Sequence, residues 1–564
     1  MSSFPSELWM HVFEELDSPR DLAAVVRTNK RFQALGERVL YRNVIWTNPR
    51  TFVKNYHFLA DNPALHTVPR SLTLGISQMY NHIDRIEQIN RARGVIQPTG
   101  ETTTIPRSSR SSDVRVLEEV GIVSPIEFLA SEHLAEIIYN QSARFINLKE
   151  LNFVGMVLPD TFYSFVHHFP ALEKLRIEDC TPPIRPVPTS LHPKDLPITE
   201  LTILGLRGRR DLRELRSFAE GQQLRIIRFD WTCYIYKHFC EPPNPVPSPH
   251  IHTIDAKFPT QKSWQSHISE PHDQLINPFV EFLGKCPRVT NLRIRNHLPW
   301  LRLPQSALRN LTFYQGPLTT VGSVVSGSRP IKRLDIKDAS GSLAALEKAF
   351  RDIDAGGVGE GLEGLSIYLG WWDDEILYAT LHHFKKLKSL ELMYKEGDPT
   401  EETVLGMGAH FFGEMRDLAS VRVFKVAPAG WDDVGSLADR LSARGYPHRS
   451  IQLALGELVV ADTPFARDAD DESDFDQANY AGGPSSASAC RFEAEPEEMT
   501  LKELINAWNR YCPALREVQL QAGYVWRRAG EGDEWAQRKV EVRPVAPRRG
   551  AAVRLSGEGW FEGA

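Results

Sequence analysis

One short phrase constrains this chain more than anything else in it: three apolar residues at positions 0, +3 and +5. It reads Leu148/Leu151/Phe153, Leu172/Leu175/Ile177, Ile198/Leu201/Ile203 and Leu224/Ile227/Phe229, then Val289/Leu292/Ile294, Leu308/Leu311/Phe313, Ile331/Leu334/Ile336 and Leu362/Leu365/Ile367. Leu387/Leu390/Leu392, Leu418/Val421/Val423 and Leu515/Val518/Leu520 complete the set. With 42% of the chain apolar, a three-position pattern arises by chance at about 7% of starts, so no single copy carries weight. Two further features do. The first four copies start at 148, 172, 198 and 224, steps of 24, 26 and 26. In addition, Phe145, Phe169, Cys286, Phe384, Met415 and Cys512 each stand three residues before a position 0, after helical stretches such as 161–168, 277–285, 374–383 and 500–511.

Helix, bulky or sulfur-bearing residue, then short strand is therefore one unit written many times. Positions +3 and +5 point to one side of a strand and +2, +4 and +6 to the other. A single unit cannot bury its inward row, so neighbours must stack into a continuous core. The expected fold is α/β: a solenoid with a parallel inner sheet and outer helices over residues 47–460, whose +2, +4 and +6 side chains line a concave face. That face offers Glu150, Asn152, Lys174, Arg176, Glu178 and Glu200 early, Asn291 and Asn310 centrally, and Ser366, Glu391, Met393, Arg422 and Phe424 late. Arg228, Asp230, Arg293, Arg295, Tyr314, Arg333, Lys337 and Tyr368 are the candidate substrate contacts. An Arg-rich centre suits an acidic or phosphorylated peptide. The competing reading is that these charges pair across strands, as Arg333 with Asp335. Trp231, Trp371 and Trp372 are read as packed side chains before binding anchors.

The formal net charge is −6, which argues against a generic nucleic-acid binder. Residues 461–499 hold eleven acidic side chains against two Arg, a net of −9, so the rest of the chain sums to +3. Such a composition cannot offset its ordering entropy, and 461–499 is read as a disordered insert. A second reading makes it a strip that folds back on the basic face. Residues 99–113 read as an exposed polar loop. Thr500 and Glu503 have capping-box spacing and are expected to restart order, with 500–564 supplying the last repeat and a terminal hairpin around Tyr524, Trp526, Trp535 and Val540.

Six scattered cysteines without a C-x-x-C pair indicate a reduced protein. Cys233, His238 and Cys240 lack a fourth ligand, so no metal and no cofactor is expected. H-E-x-x-H, G-x-S-x-G and G-x-x-x-x-G-K are all missing, and Gly356–Gly361 reads as a connection between repeats. His167-His168 and His382-His383 recur at the ends of repeat helices, which marks repeat structure before a metal site. No run approaches the ~18 apolar residues of a membrane helix, and the N-terminus has no signal-peptide pattern. A non-catalytic protein of the cytoplasm or nucleus is expected, with no nucleic-acid and no membrane partner.

Residues 1–46 read differently. Leu8, Val12, Phe13 and Leu16 recur at helical spacing after Pro5, and Ser18-Pro19-Arg20-Asp21 reads as a second helix start. Leu22, Val25 and Val26, then Phe32, Leu35, Val39 and Leu40, give two more apolar faces. Three helices this short need a partner or the following domain to complete their core.

This unit resembles the F-box. Phe4-Pro5-Ser6-Glu7-Leu8 matches the family's Leu-Pro-x-Glu-Leu opening, followed by Val12-Phe13, Leu16, Asp21-Leu22, Val26, Lys30-Arg31-Phe32 and Leu40-Tyr41-Arg42-x-Val44. Phe4 for Leu, and Arg27 where Cys is frequent, depart from the pattern. The remainder resembles the irregular leucine-rich repeats that follow an F-box, particularly in fungal proteins. The resemblance implies a substrate-recognition adaptor of a Skp/cullin/F-box (SCF) ubiquitin ligase. Pro5, Leu8, Val12, Leu16, Leu22, Val26 and Phe32 would dock a Skp-type adaptor, through which the chain joins the cullin ligase core, while the repeats hold an unknown protein substrate. The alternatives are a helical cap for the first repeat and, at the level of function, a ubiquitin-independent interaction scaffold.

Overall fold

A computed structural model describes residues 4–16, 19–47, parts of 52–75, 133–183, 190–206, 213–232, 247–259, 273–296, 298–339, 343–426 and 496–540, with residues 188 and 235. The loop 99–113, the acidic stretch 461–495, Ser18 and the Cys233/His238/Cys240 group lie outside the described residues. The chain divides into two compact units, Met1–Gln315 and Gly316–Ala564.

The first unit opens with three helices, α1 (Ser6–Glu14), α2 (Pro19–Val26) and α3 (Lys30–Leu40). Asn29 caps α3, its Oδ1 accepting from the Phe32 N–H at 2.8 Å. The last helix runs straight into a strand, β1 (Asn43–Trp46), so the helical unit and the repeats share a boundary without a linker. Eight more strands follow: β2 (Ser71–Leu74), β3 (Glu150–Val154), β4 (Lys174–Glu178), β5 (Glu200–Leu204), β6 (Ile226–Asp230), β7 (Thr253–Lys257), β8 (Asn291–Arg295) and β9 (Phe313–Pro317). Each pairs in parallel with the next, in chain order.

Register makes the core. Leu151, Leu175, Leu201, Ile227, Ile254, Leu292 and Tyr314 are successive partners, and all are buried. Each strand is entered by the same device, one carbonyl accepting two successive N–H groups from the next repeat. Lys149 O takes Glu173 and Lys174, Glu173 O takes Thr199 and Glu200, and Thr199 O takes Arg225 and Ile226. Strands β3, β4, β5 and β8 end on a left-handed residue at position +7: Gly155, Asp179, Gly205 and Asn296. Gly, Asp and Asn tolerate that conformation, which turns the chain off the sheet. This punctuation is present in the sequence beside every one of these phrases.

Two strands enter the sheet without a recognised phrase before them, β1 on Val44 and Trp46 and β2 on Leu72 and Leu74. A third, β7, does carry one, Ile251/Ile254/Ala256, whose small final residue hides it. The phrase assigned to Leu308/Leu311/Phe313 is three residues early. Tyr314 pairs with Leu292, so position 0 is Leu311 and Leu308 takes the place of Phe145 and Cys286.

In the second unit β10 (Arg333–Ala339), β11 (Gly364–Trp371), β12 (Ser389–Glu396), β13 (Ser420–Lys425) and β14 (Glu517–Gln521) are parallel neighbours in that order. Helices Leu343–Ala355, Glu375–His383 and Pro496–Tyr511 precede β11, β12 and β14. Helix Leu343–Ala355 stops at Gly357, whose φ is +71°. Gly357 N–H bonds Asp354 O at 2.9 Å and Val358 N–H bonds Ile353 O at 3.2 Å, which closes a Schellman turn. The stretch Gly356–Gly361 is thus a helix end. Helix Pro496–Tyr511 begins four residues before Thr500, which corrects the capping-box reading: the helix starts on proline, a residue suited to the first turn. After β14 the chain reverses at Gly523 into the antiparallel strands β15 (Tyr524–Arg527) and β16 (Ala536–Lys539).

Candidate functional site

The helices of α1 carry two apolar stripes with different fates. Trp9 and Phe13 turn inward. Trp9 packs against Phe4 (ring centroids 5.3 Å apart), Phe13 (6.0 Å) and Phe32 (4.6 Å). Arg31 ties the chain start to α3 by donating to Phe4 O at 2.7 Å. Leu8 and Val12, one turn apart on the other side, stay 46% and 45% exposed, and Phe4 is 46% exposed. Pro5 is also exposed, and Leu16, Val26 and Phe32 are half-buried. Leu22 is a correction: it is buried, facing α3 at Gly36, and so belongs to the bundle's own core. Trp9, absent from the expected set, is the hub of the cluster. Its spacing of four before Phe13 was the available signal.

On the open face of the first unit, the cationic candidates are already partnered. Arg228 pairs with Glu200 and lies 4.0 Å from Asp255. Arg295 pairs with Asp255, and Lys174 stands 3.8 Å from Glu200. Lys174, Glu200, Arg228, Asp255 and Arg295 thus form one alternating chain of charge over five strands. Asp255, only 2% exposed, is its centre. It sits on β7, the strand whose second inward residue is the small Ala256. Asp230 is drawn into the frame as well: it accepts the Gly205 N–H at 2.5 Å and meets Lys257 at 3.6 Å. Arg293 alone among these cations has no carboxylate partner among the described residues, and lies 5.4 Å from the Phe313 ring centroid. Tyr314 is a second correction. The shifted phrase puts it in the core, fully buried, and Phe313 takes the open face.

The open face of the second unit is layered. Its middle row is polar and self-satisfied. Ser366 donates to Glu391 at 2.9 Å, and Arg422 reaches Glu391 at 3.5 Å and Glu517 at 2.6 Å. Burial raises the Glu517 carboxyl, but hydrogen bonds and charge from Arg422 and Arg527 outweigh it and hold the group below the usual range. Asp335 is bound by Lys337 on its own strand at 2.8 Å, and Arg333 is exposed. The outer row is Tyr368, Met393 and Phe424, all half-buried and partnered in register. Lys395 lies 5.6 Å from the Tyr368 ring centroid. Trp372 is buried against Tyr394, Trp231 is buried in the first unit, and Trp371 is 64% exposed.

The thiols of Cys180 and Cys286 are buried, and desolvation pushes them up to about 11 and about 12, the wrong direction for a nucleophile. Cys512 Sγ points at Leu418 O at 3.2 Å. His167 and His168 bond back to Tyr163 O and Ser164 O within their helix. Among the described residues there is no cluster of three or more His, Cys, Asp or Glu suited to a metal. No helix among them is long and apolar enough to cross a membrane.

The F-box-like family profile matches residues 1–45. No curated protein matches the chain. Among solved structures the chain is similar to an internalin of Listeria monocytogenes, at 12% identity and a TM-score of 0.25, covering 50% of this chain and 68% of that one. It is also similar to TLR13 in a complex with ssRNA13 (12% identity, TM-score 0.25, 50% and 46% covered). The leucine-rich-repeat ectodomain of the receptor kinase GASSHO1/SCHENGEN3 of Arabidopsis thaliana is a third (11%, 0.18, 50% and 39%). The aligned region spans less than half the length of the latter two. Residues 1–45 form an F-box-like domain, and the strands and helices after it repeat as a leucine-rich-repeat solenoid does.

Proposed function

We propose that this chain, an F-box-like domain joined to leucine-rich repeats, is the substrate receptor of a Skp/cullin/F-box ubiquitin ligase. The F-box-like helices dock a Skp-type adaptor that links to the cullin core, and the open face of the repeats holds a protein substrate. The chain contributes recognition, and the chemistry belongs to the other subunits. Its place of work is the cytoplasm or nucleus.

One observation carries the reading. Leu8 and Val12, one turn apart on α1, and Phe4 before it stay about half-exposed on a bundle whose inner stripe is already packed. Covering each of these half-exposed side chains is worth about 1 kcal/mol, enough together to favour a partner and too exposed to be left in water without one. The direct run from α3 into β1 joins these helices to the first repeat strand without a linker.

The test is co-purification of the tagged full chain with a Skp-type adaptor and a cullin, beside a variant carrying Leu8→Asp and Val12→Asp. Both partners should be recovered with the parent chain and lost with the variant. Recovery of neither with the parent chain would favour the ubiquitin-independent scaffold.

A further inference from the structure

We propose that the substrate-docking surface is the outer row of the second unit, Tyr368, Met393 and Phe424, and that it takes an extended segment of a partner protein carrying apolar side chains beside an Asp or Glu. The proposal rests on the receptor reading above and narrows it to one surface and one ligand chemistry.

The row is continuous. Tyr368 pairs with Met393 and Met393 with Phe424 in register on three successive parallel strands. Neighbouring strands lie about 4.8 Å apart, so the three side chains make one apolar strip about 10 Å long. The adjoining row is closed to ligands because Ser366, Glu391 and Arg422 satisfy one another. The outer row ends in two aromatic rings and a thioether that remain half-open. Methionine between aromatics adapts to differing side chains.

Charge sets the second requirement. Lys337 is held by Asp335 at 2.8 Å and Lys425 by Asp398 at 3.2 Å. Lys395 follows Met393 on the same side of β12, is exposed, and has no carboxylate partner among the described residues; its ammonium rests over the Tyr368 ring. An acidic group on the ligand completes it. Arg228 and Arg295 of the first unit cannot serve equally well, since they are committed to Glu200 and Asp255.

The backbone sets the third. β11, β12 and β13 are each paired on both sides, so a ligand cannot add as a strand and must be read by side chains alone. Alternate side chains of an extended segment are about 7 Å apart, so two of them cover the strip.

The experiment selects a random 12-residue peptide library on the full chain and measures the best peptide against three proteins: parent, Met393→Glu and Lys395→Glu. Selected peptides should carry two apolar residues two positions apart and a nearby Asp or Glu. Binding should fall about tenfold or more with Met393→Glu. With Lys395→Glu, which is exposed and leaves the fold intact, it should fall about threefold or more and return when the peptide's acid is exchanged for Lys. Peptides that lack the acid, or that bind all three proteins equally, overturn the proposal. So does a synthetic peptide of residues 461–499 that binds the parent chain and loses to both variants, which would make the chain its own occupant. Dimerisation of the parent chain that Met393→Glu abolishes would assign the row to a second copy. Adaptor co-purification on the same proteins separates the two readings: peptide binding without adaptor keeps this surface and removes the receptor role, and adaptor without peptide does the reverse.

Discussion

Arg422 and Glu517 are 95 residues apart in the chain and 2.6 Å apart in the fold. They stand on adjacent parallel strands, β13 and β14, whose register runs Ser420 to Glu517, Val421 to Val518 and Arg422 to Gln519. β13 ends at Lys425 and β14 begins at Glu517, so the parallel pairing of neighbouring strands continues across a long connection. Loop-closure entropy grows only with the logarithm of length, so a single return can lengthen severalfold at a cost of about 1 kcal/mol. The seam is held by side chains as well: Arg527 adds a second cation to Glu517 at 2.7 Å.

The Glu517 pair makes stability depend on pH in the acid range. Its carboxyl is held low in the folded chain, so the stabilisation is full above the unfolded value of about 4.3 and is lost as pH falls through the folded value. Glu517→Gln should lower the melting temperature at pH 7, by an amount equivalent to about 1–2 kcal/mol. The gap between parent and variant should narrow as pH falls below about 4. A gap that stays constant between pH 7 and pH 3 would remove Glu517 as the titrating group.

Asp255 and Arg293 should respond in opposite ways. Removing Asp255 leaves Arg228 and Arg295 facing each other over a buried position, so Asp255→Ala should destabilise the first unit by about 2–4 kcal/mol in chemical denaturation. Arg293 has only its ring contact, and Arg293→Ala should cost about 0.5 kcal/mol or less. Equal effects would mean that the alternating charge chain is not a structural element. A corollary is that charge reversal at Arg295 damages the fold and is a poor test of ligand binding.

Gly36 separates the integrity of the bundle from the exposed side chains of Phe4, Leu8 and Val12. A Cβ there would stand 2.3 Å from Val26 Cγ2, on a β-branched side chain that cannot swing away. Gly36→Ala should force α2 and α3 apart, lower protection of their amides in hydrogen exchange, and weaken adaptor binding with Phe4, Leu8 and Val12 untouched. Unchanged exchange in α2 and α3 would show that the packing has more slack than this contact allows.

Arg528 fastens the terminal hairpin. It donates to Leu515 O at 2.7 Å, Pro513 O at 2.7 Å and Glu531 O at 2.6 Å, and its guanidinium lies 5.2 Å from the Trp535 ring centroid. Burial lowers its pKa, but a guanidinium stays charged and rigid where a lysine would not replace its fork. Arg528→Lys and Arg528→Ala should both raise amide exchange across 524–539 while 389–425 stays protected. Full rescue by lysine would reduce the contact to its charge alone.

Legibility followed the physics of each signal. The strands on Leu151, Leu175, Leu201 and Ile227 were readable because a fully buried row demands large aliphatic residues at fixed spacing. The strand on Ile254 was not, because its second inward residue is Ala256 and depth there is filled by neighbours. Tyr314 was misplaced because Leu308 and Leu311 satisfy the same pattern three residues early, a degeneracy inherent in a chain so rich in apolar residues. At the helical bundle, the Leu8/Val12 stripe was legible and the inward turn of Leu22 was not, since both positions are apolar and only packing against Gly36 distinguishes them.

By itself the sequence determined the architecture: periodic apolar residues that no single repeat can bury require stacking, and stacking of strand-then-return units yields parallel strands whatever their surface carries. Which open-face side chains remain available was decided only by the tertiary structure. Charges such as Arg228 and Asp255 lie 27 residues apart in the chain and become neighbours only when parallel register sets their strands side by side. A cation already paired there, such as Lys425 with Asp398, and one without a carboxylate partner among the described residues, such as Lys395, are written with the same letters.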